Sequence, residues 1–168
     1  MYIDASAIVA ILGEENDAGD LLARLDSSSS QLLVSPPTVY EAVISLARKK
    51  ADENGMQGKP APVHFIETSQ SAVATFLEDF GIKEIMVSAD IGRKAVDAAK
   101  RYGKVVGHKA DLNFGDCFAY AGAKAYHVPL LIVGLPFVSF LIVTSCALSF
   151  ARRRLRSAPI KASLVFCR

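Results

Sequence analysis

The chain has 168 residues, 51% of them hydrophobic and 21% charged, with 19 Lys and Arg against 17 Asp and Glu for a net charge of +2, three Cys and no Trp. Such a length suits one domain, the hydrophobic content excludes a disordered chain, and three scattered Cys exclude a disulfide scaffold. The charge is unevenly distributed: residues 1–127 hold 13 Lys and Arg and all 17 carboxylates, a net of −4, whereas residues 128–168 hold six Lys and Arg and no carboxylate.

Met1–Ile3 is a short apolar run that reaches Asp4 and passes directly into Ala5–Leu12, which predicts a strand feeding a helix that stops at Gly13. Asn16 or Asp17 then caps a helix through Leu21, Leu22 and Leu25, broken by Ser27–Ser30. Gln31–Ser35 reads as a second strand. Pro36-Pro37 opens a helix whose apolar positions Val39, Ala42, Val43, Leu46 and Ala47 recur at three and four, with Arg48-Lys49-Lys50 at its negative pole. Glu53–Pro62 is a Gly- and Pro-rich loop, Val63–Phe80 a helix, and Ile82–Val87 a strand. Ser88-Ala89-Asp90 caps a helix that runs to Tyr102 and ends at Gly103. Lys104–Leu112 is a polar loop, Asn113–Tyr126 a helix nearly free of charge, and Pro129–Val133 a β-branched strand. Alternating helices and apolar strands predict a parallel sheet covered on both faces, the α/β class.

Val128–Ala151 is a stretch of 24 residues without Asp, Glu, Lys, Arg or His, followed by Arg152, Arg153, Arg154 and Arg156. A bilayer span takes roughly 20 apolar residues, so length and flanking charge allow one. Pro129, Gly134, Pro136 and the scattered Ser and Thr argue against it, and the run's first part reads as a buried strand. The chain's opening shows no basic region followed by an apolar stretch, which leaves the cytoplasm as the expected location.

Three carboxylates carry the chemical argument. Asp4 closes the first strand at the end where open parallel sheets bind ligands, although it also suits a helix N-cap. Asp116 is the only charge in Asn113–Ala123; Phe114, Phe118 and Ala121 define one face of that helix and Asp116 points away from it. A buried carboxylate wants a cation, or else the positive end of its own helix. Glu41 lies in the early turns of the third helix, off its apolar stripe. Carboxylates brought together from separate elements repel one another unless a hard divalent cation joins them, and Mg²⁺ or Mn²⁺ prefers such oxygen ligands. That is the chemistry of phosphodiester hydrolysis. His64, His108, His127 and the Cys residues lack zinc-ligand spacing, and no GxGxxG or GxxxxGK[ST] is present. Ser6 and Thr38 have no evident His partner and read as polar neighbours of Asp4 and Glu41.

The segments Met1–Ile8, Ser35–Ala42 and Leu112–Ala121, with the strand Pro129-Leu130-Leu131 after them, resemble the PIN-domain ribonucleases, in particular VapC-type toxins of type II toxin–antitoxin modules. The resemblance covers residues 1–134. It implies a three-layer α/β/α nuclease domain with a central parallel sheet over residues 1–134, and an atypical tail, hydrophobic and then basic, over 135–168. It further implies a Mg²⁺-dependent endoribonuclease, with Mn²⁺ as a substitute, in which Asp4 and Asp116 bind metal, Glu41 completes the acidic cluster and Ser6 supports it by hydrogen bonding. An RNA substrate, a homodimer and a cognate antitoxin follow from the same resemblance. Arg93, Lys94, Lys100 and Arg101 are candidates for guiding RNA, against a plainly solvated helix face. One departure stands out: the family's Gly-x-Asp-Phe is here Gly134-Leu135-Pro136-Phe137, so Pro136 occupies the place of a fourth acidic residue. Weaker metal retention is the expected consequence. Two further readings are a PIN fold that binds antitoxin or RNA without cleaving, and a protein anchored in a membrane through Val133–Ala151.

Overall fold

The computed structural model describes residues 1–134 and 162–166. Within them the order is β1 (Tyr2–Ile3), α1 (Ala5–Leu12), α2 (Ala18–Asp26), β2 (Leu33–Val34), α3 (Pro36–Glu53), α4 (Val63–Asp79), β3 (Lys83–Glu84), α5 (Ala89–Tyr102), a 3-10 turn (Lys104–Val106), α6 (Phe114–Ala125), β4 (Pro129–Val133) and β5 (Ala162–Phe166). The sheet runs β3-β2-β1-β4-β5. Its first four strands are parallel, and β5 pairs antiparallel along the outer side of β4. The tail therefore adds a strand of opposite direction to the expected parallel sheet. The residues 134–161 that connect β4 to β5 include most of the candidate membrane run and Pro136, and from Leu135 onward these lie outside the described residues. The run's first residues are not a span, because Pro129–Val133 is a strand of the sheet. Among the described residues no helix is long and apolar enough to cross a membrane.

Strand alternation divides the core into two layers. Ile3, Val34 and Leu131 face a cluster built with Ile8, Leu21, Leu46, Val73 and Phe76 from α1 to α4. Tyr2, Leu33, Leu130 and Ile132 face the opposite cluster, with Ile91, Ala95, Ala98, Cys117 and Ala121 from α5 and α6. Both faces of the sheet are thus covered, which is why its strands β1, β2 and β4 are apolar. The edge strand β3, Lys83–Glu84, is exposed and shorter than the apolar run around it, because ladder pairing lasts only as long as its short partner β2. The predicted loop after α5 contains the 3-10 turn, and its end returns to the helix through a bridge between Gly103 and Leu112.

Gly122 brings α6 down onto β1. A Cβ there would lie 2.6 Å from Cε2 of Tyr2. The Tyr2 ring is fully buried and tethered, its hydroxyl donating to Ser35 Oγ at 2.6 Å, so it has nowhere to move. Gly122→Ala is expected to lower the unfolding free energy by about 1–3 kcal/mol, the usual cost of overpacking, measured by urea titration.

Candidate active site

Asp4 follows β1 at the carboxyl end of the sheet, where its backbone N–H donates to Leu131 O of β4 at 2.9 Å. Its side chain is the N-cap of α1 and accepts from Ser6 N–H at 2.9 Å and from Ser6 Oγ at 2.6 Å. Ser6 Oγ in turn accepts the N–H of Val133 at 3.0 Å. The serine thus ties the carboxylate that caps α1 to the end of β4. Asp4 is 3% exposed. Burial pushes its carboxyl up to about 6 against the pull of the Ser6 hydrogen bonds, and the charge of Asp116 adds to the rise.

Glu41 lies one turn into α3, half-buried, and its carboxyl is raised by burial and then by the charges of Asp4 and Asp116. The start of α3 is held from below by a buried hydroxyl cluster. Tyr2 O–H bonds Ser35, Thr38 Oγ1 lies 2.9 Å from the Tyr2 oxygen, and Ser35 and Thr38 are 3.3 Å apart. Thr38 is thus committed to the base of the helix that carries Glu41. Ser35, the N-cap residue, makes no side-chain cap bond of its own.

Asp116 is the third residue of α6 and forms a capping box: Asn113 N–H donates to its Oδ2 at 2.8 Å while its own N–H donates to Asn113 Oδ1 at 3.0 Å. Burial raises its carboxyl, the Asn113 bond opposes this, and Asp111 raises it further. Asp111 lies close to Asp116 in sequence and in the loop before α6, where its backbone is left-handed at φ 52°, and its charge is felt at the site. The expected apolar face of α6 needs one correction. Ala121 is buried and Phe118 partly so, but Phe114 is 73% exposed, its ring tilted against Phe118 at a centroid distance of 4.7 Å, beside an apolar groove of about 660 Å³ bordered by Val96 and Val105.

The three carboxylates come from three elements, and each of Asp4 and Glu41 responds to the charge of Asp116. Among the described residues none of the three has an ion-pair partner. Nor do any three His, Cys, Asp or Glu side chains there form a ready-made metal cage. This donor set fits a small hard cation, which is bound through one or two carboxylates and keeps several waters, better than it fits zinc. Three of the four basic residues of α5 pair locally, Arg93 and Lys94 with Asp90 and Lys100 with Asp97 at 3.3 Å, while Arg101 has no ion pair among the described residues.

Comparison with known proteins adds the following. A family model described as PIN domain matches residues 1–134. A VapC ribonuclease of Rhizobium meliloti is 39% identical over 136 residues, covering 81% of this chain and 94% of the relative. Ribonuclease VapC42 of Mycobacterium tuberculosis is 32% identical over 146 residues, 87% of this chain and 99% of its own. Among solved structures, VapC20 of Mycobacterium tuberculosis, described as a Sarcin-Ricin loop cleaving toxin, matches with a TM-score of 0.54 over 76% of this chain and 83% of that one. At 14% identity that likeness speaks for the fold.

Proposed function

The chain belongs to the PIN domain family, and from that membership we propose that it is a divalent-metal-dependent endoribonuclease, the toxin of a toxin–antitoxin pair, with Asp4, Glu41 and Asp116 as its working carboxylates. The observation that carries the site assignment is placement: Asp4 caps α1, and Glu41 of α3 lies against Gly115 of α6, one residue before Asp116, with no counter-ion among the described residues. Residues 1–134 form the catalytic domain in this reading.

Asp4 and Asp116 would hold Mg²⁺, or Mn²⁺ in its place. A divalent ion held there would supply positive charge against the phosphate oxygens and would make a bound water easier for a nearby carboxylate to deprotonate. Ser6 keeps the Asp4 carboxylate fixed through its two hydrogen bonds. The Asn113 cap fixes Asp116 in the same way. Glu41, half-buried and raised toward neutrality, is suited to take a proton at its carboxylate from the attacking water. The Tyr2, Ser35 and Thr38 hydroxyls hold the helix that presents it. With Pro136 in place of a fourth acidic residue, the site relies on three carboxylates and retains its ion less tightly than a four-carboxylate site. A cognate antitoxin, a homodimeric state and a cytoplasmic location complete the proposal.

The test is cleavage of structured RNA by the full chain across a Mg²⁺ and Mn²⁺ titration. Cutting is expected with either ion and is expected to disappear in EDTA and in Asp4→Ala or Asp116→Ala proteins that remain folded. Cleavage that persists in EDTA would overturn the metal reading.

A further inference from the structure

Glu41 takes no hydrogen bond or ion pair from the described residues, so packing alone sets where its carboxylate rests. What it rests against is the first turn of α6. A Cβ built on Gly115 would come within 2.7 Å of Glu41 Cδ and 3.0 Å of Oε1, and closer still to Oε2. Real Cβ atoms do not approach other atoms so closely, and here the obstructed group is the carboxylate itself. Gly115 is buried and lies in a regular helix, outside the left-handed backbone region, so its backbone does not ask for glycine. Alanine would be the better helix former at such a position. The glycine therefore serves space rather than conformation.

We propose that Gly115 is a positioning residue for Glu41: the side chain missing at 115 is the room in which the Glu41 carboxylate lies against α6, one residue before Asp116. A methyl group at 115 meets Glu41 first and obliges its carboxylate to leave this place. The proposal rests on the reading of these carboxylates as a cation site.

The experiment is Mn²⁺ binding to the full chain, read from the electron paramagnetic resonance signal of the free ion, with thermal melting in EDTA alongside. Gly115→Ala is expected to weaken Mn²⁺ binding about tenfold, because the negative charge of Glu41 then sits farther from the ion that Asp4 and Asp116 would hold. In a Glu41→Ala background the same substitution is expected to cause no further loss, because the group it displaces is gone. Gly92→Ala, in α5 with open space around its Cβ position, serves as the helix control and is expected to bind as the unaltered chain does. In melting, Gly115→Ala is expected to raise the midpoint in the Glu41→Ala background, where alanine is simply the better helix former, and to raise it less when Glu41 is present and must move aside. Equal Mn²⁺ affinity in Gly115→Ala and the unaltered chain, or an equal loss in both backgrounds, would overturn the positioning role alone. No Mn²⁺ binding by the unaltered chain would overturn the cation site and the positioning role together.

Discussion

Asp4→Asn is expected to reduce RNA cleavage by about 10²-fold or more while making the metal-free protein more stable at neutral pH. Asn keeps an oxygen that can accept from Ser6 N–H and Oγ, so the N-cap of α1 survives. What it removes is a charge that burial opposes. The carboxyl of Asp4 rises from 3.8 in the unfolded chain to about 6 in the fold. Between these values the unfolded state has lost its proton and the folded state still holds it, so stability falls as pH rises through this window. Above it the folded protein carries the full penalty, up to about 3 kcal/mol for a rise of about two pK units. Urea unfolding in EDTA is expected to show the Asn variant ahead at pH 7 and level with the unaltered chain near pH 4. Saturating Mg²⁺ is expected to narrow the difference at pH 7, because it stabilises the unaltered chain and finds no charged Asp4 in the variant. An Asn variant less stable at pH 7 than at pH 4, relative to the unaltered chain, would contradict the assignment.

Asp116 serves two ends that substitution can separate. Both Asp116→Asn and Asp116→Ala are expected to lose cleavage to a similar extent, since neither leaves a carboxylate for the cation. Only the Ala variant loses the acceptor for Asn113 N–H, one arm of the capping box, and it is expected to be destabilised by about 1 kcal/mol. The Asn variant keeps that acceptor and sheds both the burial cost and the repulsion from Asp111, so its melting temperature is expected to equal or exceed that of the unaltered chain. Circular dichroism melts beside the cleavage assay measure both effects. Retained cleavage in the Asn variant would show that Asp116 matters as a cap and not as a ligand.

Much of this arrangement is legible in the sequence alone. The passage from Ile3 through Asp4 into Ala5–Leu12 can be read because an apolar run that meets a helix without a loop leaves its last polar residue at the strand end. Asp116 stands out because it is the only charge between Asn113 and Ala123, in an otherwise apolar stretch of helix. Pro129–Val133 is an apolar run whose three central residues are buried, and its bounds agree with the strand observed. The misreadings have physical causes. Apolarity marks burial and not pairing, so the strands read at 31–35 and 82–87 are paired only at Leu33–Val34 and Lys83–Glu84. Helical periodicity places Phe114 on a face with Phe118 and Ala121, but periodicity cannot tell which turn of a helix has a neighbour. The space above Gly115 is invisible for a similar reason: a glycine's value there depends on a side chain 74 positions earlier in the chain.

The pairing of β5 with β4 bears on how the molecule protects itself from its own kind. Val133 lies opposite Ala162, where β4 ends and β5 begins on the outer flank of the sheet. Without β5, the outer row of N–H and C=O groups on β4 would be an open edge, the kind of surface on which strands of other molecules assemble. Because β5 fills that row over all five residues of β4, the edge of the sheet on this side among the described residues is β5. A chain ended at Gly134 would keep the carboxylates and lose this cover, exchanging a sealed flank for one open to strand addition and aggregation.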